Sequence, residues 1–210
     1  MKLDRDWIIQ RISNSATETI APNEHGDHDL NPDLRPHQPL RHAAVLIGLV
    51  EHETGLSVLL TQRTDHLQHH PGQISFPGGH VEEQDDDAVA TALRETEEEI
   101  GLHRTHMDVL GRLRTYITRT GFAVTPVVAL VKPPFELTPD PHEVAEVFEV
   151  PLAFLMNPAN HQKHLREFEG TPRYFHAMPY RDYYIWGATA GMILDLYQTL
   201  MEDQPPASYV

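Results

Sequence analysis

The longest unbroken apolar stretch of the chain runs from Ala43 to Val50, the pattern of a strand covered on both faces. Ala43 to Glu51 is therefore predicted as a central strand, with Leu56 to Gln62 as its partner across a short turn containing Gly55. Upstream, Asp4 to Ser13 places Trp7, Ile8 and Ile12 among charged residues at helical intervals, which predicts a short N-terminal helix. Ala21 to Leu40 carries Pro22, Pro32, Pro36 and Pro39 together with Gly26, so it reads as a connecting arm without regular structure. His66 to Gly79 is loop-like for the same reason, with Pro71, Gly72, Pro77, Gly78 and Gly79.

Asp85, Asp86 and Asp87 stand where a helix N-cap belongs, and Ala88 to Ile100 has no Gly or Pro and many good helix formers. Gly101 supplies the stop. Strands are predicted at Val109 to Thr118 and Phe122 to Val131, joined as a hairpin through Arg119, Thr120 and Gly121, and again at Val144 to Val150. Trp186, Ala190, Ile193, Tyr197 and Leu200 recur at helical spacing and predict a final amphipathic helix. The chain thus divides into residues 1–39, a helix and a Pro-rich arm; 40–202, the main domain; and 203–210, a tail expected to fray.

At 210 residues and 40% hydrophobic content, one compact domain is expected. Sixteen Lys and Arg against thirty-one Asp and Glu leave a formal charge of −15, which repels nucleic-acid backbones and anionic membranes. Neither is expected as a partner. Within residues 101–135, however, Arg104, Arg112, Arg114, Arg119 and Lys132 face only Asp108, a local surplus suited to phosphate contacts. There is no cysteine, which removes disulfides, thiolate nucleophiles and thiolate metal sites together. The first six residues carry charges of both signs with no apolar core behind them, and no apolar run approaches the ~20 residues of a membrane helix. A soluble, cytoplasmic protein is expected.

On a helix advancing ~100° per residue, Glu95, Glu98 and Glu99 fall on one arc, because i, i+3 and i+4 are neighbours. Val89, Ala92, Leu93, Thr96 and Ile100 fall on an adjoining arc that can pack on a sheet, which puts the acids at the edge of the core. Acids grouped in this way raise one another's pKa, and a divalent cation removes the conflict. All-oxygen ligands point to Mg²⁺ or Mn²⁺ rather than Zn²⁺. Arg94 is placed to brace a neighbouring Glu. The plain alternative, a solvated acidic helix face, is the commoner meaning of an isolated Glu cluster. Here a glycine turn before the helix, a glycine stop after it and Arg94 in front of the acids favour the metal reading.

At these residues the chain resembles the Nudix hydrolases, whose box reads G-x5-E-x7-R-E-U-x-E-E-x-G-U with U a bulky apolar residue. Arg94-Glu95, Glu98-Glu99 and Gly101-Leu102 fit the second half, with Thr96 at the first U position. From Gly79 to Arg94 there is one residue more than the general box allows, and Asp85 fills the acidic position before the helix. The extra residue is a feature of the coenzyme A pyrophosphatase subgroup, which also carries L-L-T-x-T-[SA]-x3-R-x3-G-x3-F-P-G-G. The run from Leu59 to Gly79 is similar to this throughout in spacing, with Arg63 where the motif often has Thr and Gln68 where it has Arg. Glu143 to Phe148 with Pro151-Leu152, and Tyr184 to Gly187 with Thr189-Ala190, also look like bacterial members.

The resemblance implies an α/β/α Nudix sandwich with a mixed sheet and a loop-helix-loop box. It implies metal ligation by Glu95, Glu98, Glu99 and the Gly79 carbonyl, with Arg94 beside them, and a carboxylate base drawn first from Glu95 and second from Glu143. Arg63, Gly72, Phe76 and Gly78 along the subgroup run, with Arg119 of the basic segment, are the candidate substrate contacts. The implied activity is hydrolysis of the diphosphate of coenzyme A or acyl-coenzyme A to 4′-phosphopantetheine, or its acyl derivative, and adenosine 3′,5′-bisphosphate. The alternatives are ADP-ribose, NADH or dinucleoside polyphosphates as substrates, and a Nudix module that binds nucleotides without cleaving them. The expected partner is a small nucleoside diphosphate derivative, with a homodimer as the assembly considered.

Other chemistries find less support. Fifteen His residues, among them His66, His69, His70 and His80 near the glycine turn, invite zinc, but no H-E-x-x-H or comparable spacing is present. Neither G-x-x-x-x-G-K-[ST] nor G-x-S-x-G occurs, so neither a P-loop NTPase nor a serine hydrolase is supported.

Overall fold

A computed structural model describes residues 5–17, 25–67, 70–168 and 170–201 of the chain. Gln68, His69 and the tail Asp203–Val210 lie outside the described residues. Among the described residues four α-helices, α1 (Arg5–Thr17), α2 (Ala88–Ile100), α3 (Leu152–Leu155) and α4 (Ala188–Met201), accompany twelve strands. Nine strands form the main sheet, in the order β1 (His25–Gly26), β7 (Tyr116–Ile117), β8 (Phe122–Val131), β2 (Arg41–His52), β3 (Gly55–Arg63), β4 (Ile74–Ser75). To these are added β5 (Gly78–His80) on β2, β6 (Met107–Arg112) on β8 and β9 (Val144–Pro151) on β3. The sheet is mixed: β2 runs parallel to β8 from Arg41 opposite Phe122 to Val50 opposite Val131, and antiparallel to β3.

Its two faces explain the unbroken apolar text of β2. Ala44, Leu46 and Val50, with Leu59, Val127 and Ala129, are buried with Ala92 and Ile100 of α2. Ile47 and Leu49, with Leu60 and Val128, are buried with Ile8 and Ile12 of α1, Leu152 of α3 and Ile193 and Leu196 of α4. A strand covered by helices above and below has no solvent face to mark with polar residues. This is an α/β/α sandwich.

Three elements depart from the sequence reading. The strand expected over Val109 to Thr118 is two strands, because its register shifts between Val109 and Gly111 and the chain leaves the ladder before rejoining at Tyr116. A bulge bends a strand in this way. Trp186 does not belong to the last helix; it ends β12 (Tyr183–Trp186), and Gly187 in the left-handed region (φ 63) turns the chain into α4. A second sheet, β10 (Gln162–Phe168), β11 (Thr171–Tyr180) and β12, escaped the reading because most of its described β10 side chains are exposed and its text lacks clean alternation.

The arm is built into the fold. His25 and Gly26 pair in parallel with Tyr116 and Ile117, and Asp27 accepts hydrogen bonds from the Tyr116 hydroxyl (2.7 Å) and the Arg119 backbone N–H (2.7 Å). Asn31, buried, imitates a strand: its amide donates to the Tyr174 carbonyl (2.8 Å) and accepts from the Tyr174 N–H (2.9 Å). It thereby ties the arm to the second sheet. No helix among the described residues is long and apolar enough to cross a membrane.

Asn31→Ala leaves both backbone groups of Tyr174 without that partner, and each lost partly buried hydrogen bond costs about 1 kcal/mol. Urea unfolding of the variant is expected to show a loss of about 1–3 kcal/mol. An unchanged midpoint would mean that the arm is not held through Asn31.

Candidate active site

α2 forms where the sequence predicts it. The Asp87 side chain caps its start by accepting from the Ala90 N–H (2.9 Å), and Gly101, at φ 71, ends it with its N–H on the Glu97 carbonyl (3.0 Å). A positive φ is what glycine adopts at little cost. Thr96, at the box position that asks for a bulky apolar residue, is fully buried, and its hydroxyl donates to the Ala92 carbonyl (2.7 Å).

Arg94 holds the loop before the helix against the helix itself. Its Nε and Nη2 grip both oxygens of Asp85 at 2.9 Å, its Nη1 reaches Glu95 at 2.9 Å and Glu98 at 3.0 Å, and its Nη2 also reaches the His80 carbonyl at 3.1 Å. These five bonds use the full donor set of a guanidinium. Asp85 has only 4% of its side chain exposed and accepts further from the Glu82 N–H and the Thr91 hydroxyl, both at 2.9 Å. The Arg94 fork, followed by the Glu82 N–H, holds its carboxyl well below the ordinary carboxylate range. Asp85, at the acidic position of the box, thus reaches Arg94 across the start of the helix.

The three acids do not all face one point. Glu95 and Glu99 turn to Gly78 and Gly79 of β5, with 16% and 7% of their side chains exposed, whereas Glu98, 60% exposed, tips toward solvent and Arg94. Glu99 accepts from the Gly78 N–H at 3.1 Å, and Arg63 at the end of β3 lies 3.8 Å from its other oxygen. A Cβ on Gly79 would overlap the Glu95 carboxylate, so that close approach requires glycine.

Burial pushes the Glu99 carboxyl up to about 8, against the Gly78 N–H and Arg63, which pull it down; Glu143 and Glu95 add to the rise. Burial also raises Glu95, Arg94 opposes this, and Glu98 and Glu143 add to it. Glu143 is thus electrically part of the site. Its loop is stitched to the end of α2 by Thr138 N–H on the Ile100 carbonyl (2.8 Å) and Asp140 N–H on the Glu99 carbonyl (2.9 Å). Thr64 fastens the other side, donating from its N–H to the Glu143 carbonyl and from its hydroxyl to the His142 carbonyl, both at 3.0 Å. The sequence signal for this loop was the Asp140-Pro141-His142 turn, in which the Asp140 side chain accepts from the His142 N–H at 2.9 Å.

Other candidates fall elsewhere. Phe76 is a core residue, 2% exposed, and Gly72 makes a left-handed turn (φ 65) beside Asp65. Arg104 is paired with Glu97, Lys132 with Asp108 and Arg114 with Asp195. Arg119 lines a cavity on the α4 side of the sheet, not the Gly78-Gly79 turn. His70 pairs with Gln73 at 2.9 Å, and the His80 ring lies edge-on to Phe122.

A metal-ion fit can be judged from the donors. Among the described residues no three His, Asp or Glu side chains already stand as a ready cluster, since Arg94 holds Glu98 away. Yet two largely covered carboxylates share one glycine turn, and the deeper one is repelled by two acids, which is the electrostatic situation a hard divalent cation relieves. The donor chemistry fits Mg²⁺ or Mn²⁺.

Residues 40–169 match the NUDIX domain family model, more than half of the chain. The chain belongs to the Nudix family. It is similar to Nudix hydrolase 15, mitochondrial, of Arabidopsis thaliana, 39% identical over 99% of this chain and 72% of that protein. It is 40% identical to the uncharacterized Nudix hydrolase NudL of Escherichia coli K12, over 74% of this chain and 81% of that one. Among solved structures, a MutT/nudix family protein from Enterococcus faecalis covers 80% of this chain and 64% of its own, at 18% identity and a TM-score of 0.48. The protein is a Nudix hydrolase, and its family supports pyrophosphohydrolase activity.

In this Nudix hydrolase without metal, Glu99 links stability to pH. Its folded pKa, about 8, lies above the ordinary 4.5, so between these values the folded state binds more protons than the unfolded one. Stability contributed there is present at low pH and lost as pH rises through about 8. Glu99→Gln removes this loss. Melting in EDTA should place the variant increasingly above the parent as pH rises from about 5 to about 8. A gap that stays constant over that interval would mean that Glu99 does not retain its proton in the fold.

Proposed function

We propose that this Nudix hydrolase cleaves the diphosphate of coenzyme A or acyl-coenzyme A, with Mg²⁺ or Mn²⁺, giving 4′-phosphopantetheine or its acyl derivative and adenosine 3′,5′-bisphosphate. The observation that carries the reading is the position of Arg63. It is the last residue of β3, it lies within the Leu59–Gly79 run that resembles the coenzyme A subgroup, and its guanidinium stands 3.8 Å from Glu99. The run that suggests the substrate thus meets the acids that suggest the chemistry both at Arg63 and at its end, where the Gly78 N–H donates to Glu99 at 3.1 Å. The one-residue excess from Gly79 to Arg94 supports the same subgroup.

Glu95, Glu99 and the Gly79 carbonyl would hold the cation, with Glu98 joining if it leaves Arg94. When bound, such an ion polarises the diphosphate, offsets its charge and lowers the pKa of an attacking water. Arg94 keeps Glu95 oriented throughout. Arg63 offers a positive charge to the diphosphate beside the acids. The proton of the water passes to a carboxylate, Glu95 first and Glu143 second.

Products identified by mass from coenzyme A, acyl-coenzyme A, ADP-ribose, NADH and diadenosine polyphosphates test the reading. Coenzyme A substrates should lead, and Glu99→Gln should lose about a hundredfold or more in kcat with the fold intact, as removal of several kcal/mol of electrostatic stabilisation requires. Preference for ADP-ribose would overturn the substrate, and no turnover of any of them would favour a nucleotide-binding module.

A further inference from the structure

A cavity of about 410 Å³ lies on the α4 side of the main sheet, between the arm, the ends of β7 and β11, and α4. It is within the usual range of small-molecule sites, about 300–1,000 Å³. Glu95 and Glu99 do not line it, and α2 packs on the other face of the sheet. Four of the chain's sixteen Lys and Arg residues do line it: Arg114, Arg119, Arg166 and Arg173. Asp27 and Asp29 line it too, and Arg114 is held by Asp195, so the charge that is left for a ligand rests on Arg166 and its neighbours rather than on all four.

The arrangement of two of them is unusual. Arg166 of β10 and Arg173 of β11 are direct cross-strand partners, and like charges in that position destabilise a sheet. Asp33 offsets Arg173 at 2.5 Å, while Arg166 has no ion pair among the described residues. The acids of the opposite wall are already engaged. Asp27 is bonded to the Tyr116 hydroxyl and the Arg119 N–H, and Asp29 to the His25 ring (2.5 Å) and the Gly26 N–H (3.0 Å).

Two residues beyond Arg173 on the same face, about 7 Å along the strand, Phe175 meets Trp186 with ring centroids 5.5 Å apart and planes at 71°. Both line the cavity, and Trp186 is among the exposed large apolar residues. One sheet face thus presents an uncompensated guanidinium at one end and an aromatic corner at the other. That separation is comparable to the span from a nucleobase to its phosphate across one ribose.

We propose that this cavity is a second ligand site, separate from the Nudix box, for an aromatic phosphate monoester of the nucleoside monophosphate class. The phosphate meets Arg166 and Arg173, and the base lies against Phe175 and Trp186. The site does not depend on the hydrolase substrate.

Calorimetric titration of the full chain in EDTA with AMP, adenosine and inorganic phosphate tests it. AMP should bind one per chain, and adenosine and phosphate each more weakly. Arg166→Glu and Trp186→Ala should each weaken AMP about tenfold or more, as loss of a charged hydrogen bond or a stacking partner implies, with cooperative melting retained in both. Glu99→Gln should leave AMP affinity as it is. Absence of AMP binding at millimolar concentration would overturn the proposal. So would binding that survives Arg166→Glu and is lost in Glu99→Gln, because that would put the nucleotide at the box.

Discussion

The fork of Arg94 on Asp85 is the constraint on which the site depends. α2 and the loop before it are separate in local structure, and the guanidinium joins them, with the Thr91 hydroxyl on Asp85 beside it, while also reaching Glu95 and Glu98. With every N–H engaged, Arg94 has one way to sit. It sets the orientation of Glu95 over Gly79, and it draws Glu98 to the solvent side of the helix, away from the glycine turn that Glu95 and Glu99 face. Lys could not substitute, because a point charge lacks the planar fork that spans both oxygens of Asp85.

Around that fork, the fold spends stability on chemistry. Glu99 is buried beside two other acids, with one N–H and one guanidinium 3.8 Å away in partial compensation. A core built only for stability would place an apolar side chain there, as the neighbouring Ala92 and Ile100 do on the same helix. A divalent cation held there would offset that repulsion. The same logic makes Gly79 a functional glycine: its absent side chain is the space that the Glu95 carboxylate occupies.

Much of this was legible in the text. The apolar run of β2, the caps of α2 at Asp87 and Gly101 and the partnership of Arg94 with a nearby Glu follow from periodicity and capping chemistry, which are local. What escaped was set by partners distant in sequence. Glu98 sits on the same helical arc as Glu95 and Glu99, but the arc cannot say which acid a guanidinium will take. Residues 25–34 look like an arm because Pro and Gly break regular structure, yet Asn31 finds strand-like bonds on Tyr174, 143 residues away. The second sheet had no apolar alternation to announce it because most of its first strand faces water. Glu143 was a candidate from the sequence, but the Thr64 bonds that fix its loop come from a residue far upstream that carries no signal of its own.

The distribution of charge has a consequence for how an anionic substrate reaches the acids. A net charge of −15 repels it at long range, but at physiological salt that repulsion is largely screened beyond about 8 Å. What decides approach is then the local field. Most basic residues of the 101–135 segment are consumed by Glu97, Asp108 and Asp195, and so contribute structure rather than attraction. Arg63 is different: its nearest carboxylate, Glu99, lies at 3.8 Å, too far for a direct hydrogen bond, and holds a proton near neutral pH when no cation is bound. With Glu99 protonated, that guanidinium is only weakly neutralised, and so it remains available to an anion that enters the turn.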